Sequence, residues 1–196
     1  MMEKIDIISK IRNLSIEKNG LSAEVISREG LIYNFIINAY RENIWRLQII
    51  RNKEIKKEVF LTPSDIKFIK EEETIILKSG DYELNLIEDP LFFYIKKGDK
   101  VVLSLNYHRN VGLILLTPPL GITDGRFCGS FSLTPQEGIF GLGEIFNPCE
   151  RHSQKIEVWV NDAYGTFTER SYKPFPFLWS TKGYGILFNT FYKTIH

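Results

Sequence analysis

Short runs in which every second side chain is apolar, each closed by a cluster of turn-forming residues, dominate this sequence as far as Pro174. A period of two sends alternate side chains to opposite faces of an extended chain, the pattern of a strand with one buried face. Leu31–Ile37 is rich in β-branched and aromatic residues and bounded by Gly30 and Asn38, while Ile44–Ile50 alternates apolar with polar. Thr74–Lys78 passes through Ser79-Gly80-Asp81 into Tyr82–Leu86, a strand, a turn of residues that tolerate positive φ, and a second strand. Leu91–Ile95, the turn Lys96–Lys100 and Val101–Leu105 repeat that grammar. About a dozen such runs recur at roughly the 8–12-residue spacing of a sandwich or barrel.

Helix signals are scarce. Ile5, Ile8 and Ile11 stand three apart, which fits a short helix over Met2–Asn13, but the isoleucine content favours a strand there. Pro63-Ser-Asp-Ile66 reads as a turn. The expectation is an all-β chain with few or no helices, two sheets packed face to face as a single domain over residues 1–196. At 43% hydrophobic residues there is enough apolar surface for a sizeable core.

Charge limits the partners. Lys+Arg total 25 and Asp+Glu 24, a net charge of +1, which argues against a nucleic-acid binder driven by counterion release. Cys128 and Cys149 have neither the spacing of a zinc or redox motif nor the number of a secreted disulfide framework, so both are expected as free thiols. Charges interrupt the N-terminal apolar residues where a signal peptide would be continuous, and Val111–Leu116, the longest apolar stretch, ends in Thr117-Pro118-Pro119. These features point to a soluble, cytoplasmic chain with no membrane partner.

Beyond about residue 105 glycine, proline and aromatics concentrate, and three runs stand out. In Glu137-Gly-Ile-Phe-Gly-Leu-Gly-Glu144 the paired glycines superficially suggest a phosphate loop, but the Ile-Phe-Asn-Pro148 that follows does not open a helix. The preferred reading is close backbone approach between strands. Gln154–Thr166 places Ile156, Val158 and Val160 in alternation, then Asn161, Asp162 and Tyr164 in a loop beside Trp159. Rings that cover apolar sugar faces, with amide and carboxylate groups that take hydroxyls, are what a sugar site uses, and an ordinary Asn/Asp turn is the competing reading. Tyr172–Ser180, the turn Ser180–Gly183 and Gly185–Asn189 read as a hairpin packed through its aromatics into a core.

Catalytic constellations do not emerge. His108, His152 and His196 lack metal-ligand spacing, no Gly-x-Ser-x-Gly elbow occurs, and no carboxylate pair is tied by spacing to glycosidase work. Neither a catalytic residue nor a cofactor or metal is expected from the residues themselves.

Taken together, Ile139-Phe-Gly-Leu-Gly-Glu-Ile-Phe146, then Gln154…Trp159…Asp162, then Gly165-Thr-Phe-Thr-Glu-Arg-Ser-Tyr-Lys-Pro-Phe-Pro-Phe177 and Gly183-Tyr-Gly-Ile-Leu-Phe-Asn-Thr190 resemble the N-terminal domain of glycoside hydrolase family 31. That family includes α-glucosidases and α-xylosidases. Arg46-Leu-Gln-Ile49 and Asp89-Pro-Leu-Phe-Phe-Tyr-Ile95 resemble its galactose-mutarotase-like sandwich strands, and Thr166-Phe-Thr-Glu169 ahead of Tyr172-Lys173 is most similar to archaeal-type α-xylosidases. The resemblance implies a β-sandwich beside a (β/α)₈ barrel, with Asp162 at the position that touches substrate. Asn161, Trp159 and Tyr164 would surround it. Val160 stands where the family often has Asn. The family's two catalytic Asp residues belong to the barrel, and neither their motif nor the ~250 residues a barrel needs is found here.

The resemblance therefore implies a carbohydrate-binding, substrate-positioning domain of a retaining α-glycosidase, inactive alone. Its ligand would be an α-linked oligosaccharide or glycoside, and a separate chain could supply the barrel. The alternatives are a stand-alone carbohydrate-binding module and a truncated, non-functional fragment.

Overall fold

The computed structural model describes residues 5–51, 66–106, 119–123, 125–161 and 171–196. The expected turn at Pro63–Asp65 and the apolar stretch Val111–Leu116 lie outside the described residues. Among the described residues every regular element is a strand, as the period-two pattern implies. The strands gather in two compact units, Met1–Ser132 and Leu133–His196.

The first unit begins with β1 (Asp6–Glu17), β2 (Gly20–Ser27), β3 (Ile32–Arg41) and β4 (Ile44–Ile50). It continues with β5 (Lys67–Glu71), β6 (Thr74–Ser79), β7 (Tyr82–Ile87), β8 (Phe92–Lys97) and β9 (Lys100–Ser104), and closes with β10 (Leu120–Thr123) and β11 (Arg126–Gly129). They form an antiparallel six-stranded sheet, β11-β10-β1-β2-β3-β4, and a five-stranded meander, β5-β6-β7-β8-β9. One apolar core joins the two sheets. Leu21, Ala23, Val25, Tyr33, Phe35 and Ile37 alternate on β2 and β3, and they share a cluster with Ile75, Leu77, Leu84, Leu86 and Phe93 of the meander. This is a sandwich in which the hydrophobic effect holds sheet to sheet.

β1 explains the misleading spacing of its isoleucines. Ile8 pairs with Ser27 but Lys10 with Ile26, so one extra residue is inserted on β1. A bulge of this kind shifts the alternation by one, and Ile8 and Ile11, three apart, both enter the core. A second irregularity between Arg12 and Ser15 holds Asn13 at φ 49°, a left-handed conformation that Asn tolerates better than most residues.

The hairpins are tighter than the sequence suggested. Ser79 pairs with Tyr82 and Lys97 with Lys100, leaving the two-residue loops Gly80-Asp81 and Gly98-Asp99. Each has its glycine first, at φ 57°. Asn43, at the tip between β3 and β4, accepts from the Asp81 amide through Oδ1 at 3.2 Å and donates its own amide to Ser79 Oγ at 3.3 Å. That contact links a hairpin tip of one sheet to a hairpin tip of the other.

The second unit holds β12 (Ile139–Glu144), β13 (Glu157–Val158), β14 (Lys173–Ser180), β15 (Gly185–Leu187) and β16 (Thr194–Ile195). β12-β14-β15 form a three-stranded sheet, and β13 pairs with β16. A small apolar cluster here consists of Leu142, Ile156 and Val158, with Ile145 and Leu178 packed against them.

Candidate functional site

The glycine-rich run folds into a backbone device. Gly141, Leu142 and Gly143 take φ values of 109°, 66° and 86°, three consecutive left-handed residues. Gly141 pairs with Leu178 and Gly143 with Pro174, so Leu142 alone stands opposite three residues of β14. Close approach makes glycine necessary: a Cβ on Gly141 would lie 2.5 Å from the Phe177 carbonyl oxygen, and one on Gly143 would lie 2.3 Å from that of Lys173. The expectation of close strand approach holds. Leu142 turns inward and is buried against Ile156 and Val158.

The segment after β12 folds back onto it. Arg151 donates through Nε to the Gly141 carbonyl at 3.0 Å and through a terminal nitrogen to that of Pro148 at 2.7 Å. Glu150 accepts from the Ile139 amide at 3.2 Å and from the His152 amide at 3.0 Å, and it pairs with His152 Nδ1 at 2.5 Å. Burial acts to raise the Glu150 pKa, but these hydrogen bonds and His152 prevail and hold it below the usual carboxylate range.

This framework leads into the predicted sugar-site residues. β13 is shorter than the sequence implied. Glu157 and Val158 pair with Ile195 and Thr194, Ile156 exchanges amide hydrogen bonds with His196, and the alternation then stops, leaving Val160 65% exposed. Trp159 is 47% exposed, so much of its ring is open to solvent. Asn161 turns its Nδ2 onto the Trp159 carbonyl at 3.2 Å, and its amide donates to the Ser171 carbonyl, also at 3.2 Å. Trp159 and Asn161 therefore stand together at one chain exit. Asp162 and Tyr164 lie outside the described residues, as does Thr166–Glu169.

Ser171 is buried at the point where the chain returns. Its Oγ donates to the Glu144 carbonyl and accepts the Lys173 amide at 3.1 Å.

Sequence reasoning assigned no role to Glu137. Its side chain is fully buried and receives Ser180 Oγ at 2.6 Å, Tyr184 Oη at 2.7 Å and the Thr134 amide at 3.1 Å, with Lys182 Nζ 3.2 Å away. Burial alone would raise its pKa, and this set of donors overrides that, lowering it to about 2. Burial and the facing Glu137 charge push Tyr184 upward. The signal for this cluster was the Thr134-x-x-Glu137 spacing, in which a carboxylate reaches back to a backbone amide.

The aromatic hairpin departs from expectation. Phe175, Phe177 and Trp179 alternate on one face of β14 and are exposed, with Leu187 beside them on β15. Phe140 stacks on Trp179 with centroids 4.6 Å apart, and Gly185 leaves room for the Phe177 ring. Only the opposite face, through Leu178, reaches the small core.

Chemically, the Trp159–Asn161 exit offers an open ring and an amide group, suited to a neutral polyol. Both cysteines are unbridged, as expected. No group of three His, Cys, Asp or Glu side chains among the described residues could hold a metal ion, and none of those residues forms a helix long and apolar enough to cross a membrane.

Comparison with known proteins agrees with these features. Residues 34–195 match the family model of the glycosyl hydrolase 31 N-terminal galactose mutarotase-like domain. An alpha-xylosidase of Emericella nidulans is 28% identical over 123 residues, which are 56% of this chain and 16% of that protein. The cycloalternan-forming enzyme of Listeria monocytogenes, solved with a pentasaccharide substrate, superposes with a TM-score of 0.82 at 17% identity over 98% of this chain and 18% of its own. The glycoside hydrolase 31 dextranase of Flavobacterium johnsoniae, solved with glucose, gives 0.75 at 19% identity over 96% of this chain and 23% of its own. The chain thus spans less than a quarter of the length of each of these relatives.

Proposed function

The chain belongs to the glycosyl hydrolase 31 N-terminal galactose mutarotase-like domain family, and from that membership we propose that it positions an α-linked oligosaccharide or glycoside for a retaining α-glycosidase, of α-xylosidase or α-glucosidase type. Residues 1–196 act as one N-terminal domain in this role and supply no catalytic group. Asp162 accepts hydrogen bonds from sugar hydroxyls, Asn161 and Tyr164 add polar contacts, and Trp159 covers an apolar sugar face. The observation that carries this reading is a half-exposed Trp159, with Asn161 bonded to its main-chain carbonyl, at the exit leading directly to Asp162. Hydrolysis requires a catalytic barrel from outside residues 1–196, either further along a longer polypeptide or on a separate chain. The two unbridged thiols suit a reducing compartment, and the cytoplasm is where we place its work.

The test is complementation. The 196-residue chain is mixed with a separately expressed family 31 barrel, and hydrolysis of p-nitrophenyl α-xyloside and α-glucoside is followed. Turnover by the mixture with none from this chain alone supports the proposal. Turnover by this chain alone refutes it.

A further inference from the structure

The glycine bulge and the sugar-site exit, read separately in the sequence, are joined by hydrogen bonds and packing. We propose that the Gly141-Leu142-Gly143 bulge and Ser171 together form the anchor that positions the Trp159–Asn161 edge, with Ser171 a positioning residue for sugar binding. This inference rests on the proposed role of that edge.

Two arms leave the bulge. Left-handed φ values at three consecutive residues turn the Leu142 side chain under Ile156 and Val158, which lead into Trp159. The same turn restores pairing at Gly143 with Pro174 and at Glu144 with Lys173, which leaves the Glu144 carbonyl to accept Ser171 Oγ. Ser171 in turn presents its own carbonyl to the Asn161 amide. The outgoing chain is thus held from below by Leu142 and sideways by Ser171, both referred to one bulge. Arg151 secures the bulge by capping the Gly141 carbonyl. Ser171 has the right size for this: its hydroxyl donates to Glu144 and accepts from Lys173 while it is buried, so removing the oxygen leaves the Lys173 amide and the Glu144 carbonyl without that partner.

Ser171→Ala and Ser171→Thr in the 196-residue chain test the inference. Amide hydrogen exchange at Asn161 reads the anchor without any sugar, and calorimetric titration with maltotriose reads its consequence. The expected result for Ser171→Ala is faster Asn161 exchange and maltotriose binding weakened roughly tenfold, with Ser171→Thr restoring both. Unchanged Asn161 exchange in Ser171→Ala, or binding within twofold of the parent, overturns the inference. Asp162→Ala separates the two claims. If it loses binding while Ser171→Ala does not, the anchor fails and the sugar-site reading stands. If the parent chain binds neither maltotriose nor p-nitrophenyl α-xyloside, that reading fails and the binding role of Ser171 falls with it, whatever Asn161 exchange shows about the anchor.

Discussion

Ser180 Oγ donates to Glu137 Oε1 at 2.6 Å, joining the last residue of β14 to the chain just ahead of β12 across 43 positions of sequence. Tyr184 Oη reaches the same oxygen at 2.7 Å from beyond the Ser180–Gly183 turn, and Lys182 Nζ lies 3.2 Å from the other. One buried carboxylate thereby fixes the turn between β14 and β15 to the start of β12.

Acid should expose this dependence. The folded pKa of Glu137 is about 2 against an ordinary 4.5. A depressed folded pKa contributes stability that is fully present above pH 4.5 and lost as pH falls from there through 2. The shift corresponds to about 3 kcal/mol. Urea unfolding of the second unit between pH 6 and 2, followed by exchange of its amides, should show that loss. Glu137→Gln should flatten the pH dependence and cost about 1–3 kcal/mol at neutral pH.

Gly143→Ala tests the bulge. Its φ of 86° and the Lys173 oxygen 2.3 Å from any added Cβ leave no relaxed position for a methyl group. The expected loss in chemical denaturation is more than about 2 kcal/mol. Gly98→Ala is the control, since a Cβ there meets nothing within 4 Å and only the φ of 57° opposes it. It should cost about 1–2 kcal/mol.

Phe35 is completely buried in the sandwich core. Phe35→Ala should destabilise the first unit by about 3–5 kcal/mol, measured by thermal or urea unfolding. Phe175→Ser, on the exposed face of β14, should change stability by less than about 1 kcal/mol.

What the sequence made legible follows how cleanly each element alternates. Ile44–Ile50 reads directly as a strand, and β4 has those bounds. β1 was ambiguous because a bulge after Ile8 imitates a helical three-residue spacing, and pairing partners distant in sequence decide where a bulge falls. The loop proposed to bind sugar is visible in the sequence as a residue composition, but the contacts proposed to anchor it are not. The contact of Ser171 with Glu144 spans 27 residues and depends on a backbone turn that glycine spacing suggests without specifying. The Glu137 cluster is hidden in the sequence for a similar reason, since three of its partners come from the hairpin more than 40 residues away. The exposure of Phe175, Phe177 and Trp179 is not legible in the sequence because hydrophobicity reports which residues favour burial and leaves open which face of a sheet is covered.

The most direct measurement is calorimetric titration of the 196-residue chain with maltotriose and p-nitrophenyl α-xyloside, for the parent and for Asp162→Ala. A substrate-positioning domain predicts saturable binding of at least one of these ligands by the parent, weakened about tenfold or more in Asp162→Ala. No binding of either sugar by the parent, or equal affinity in Asp162→Ala, would contradict it.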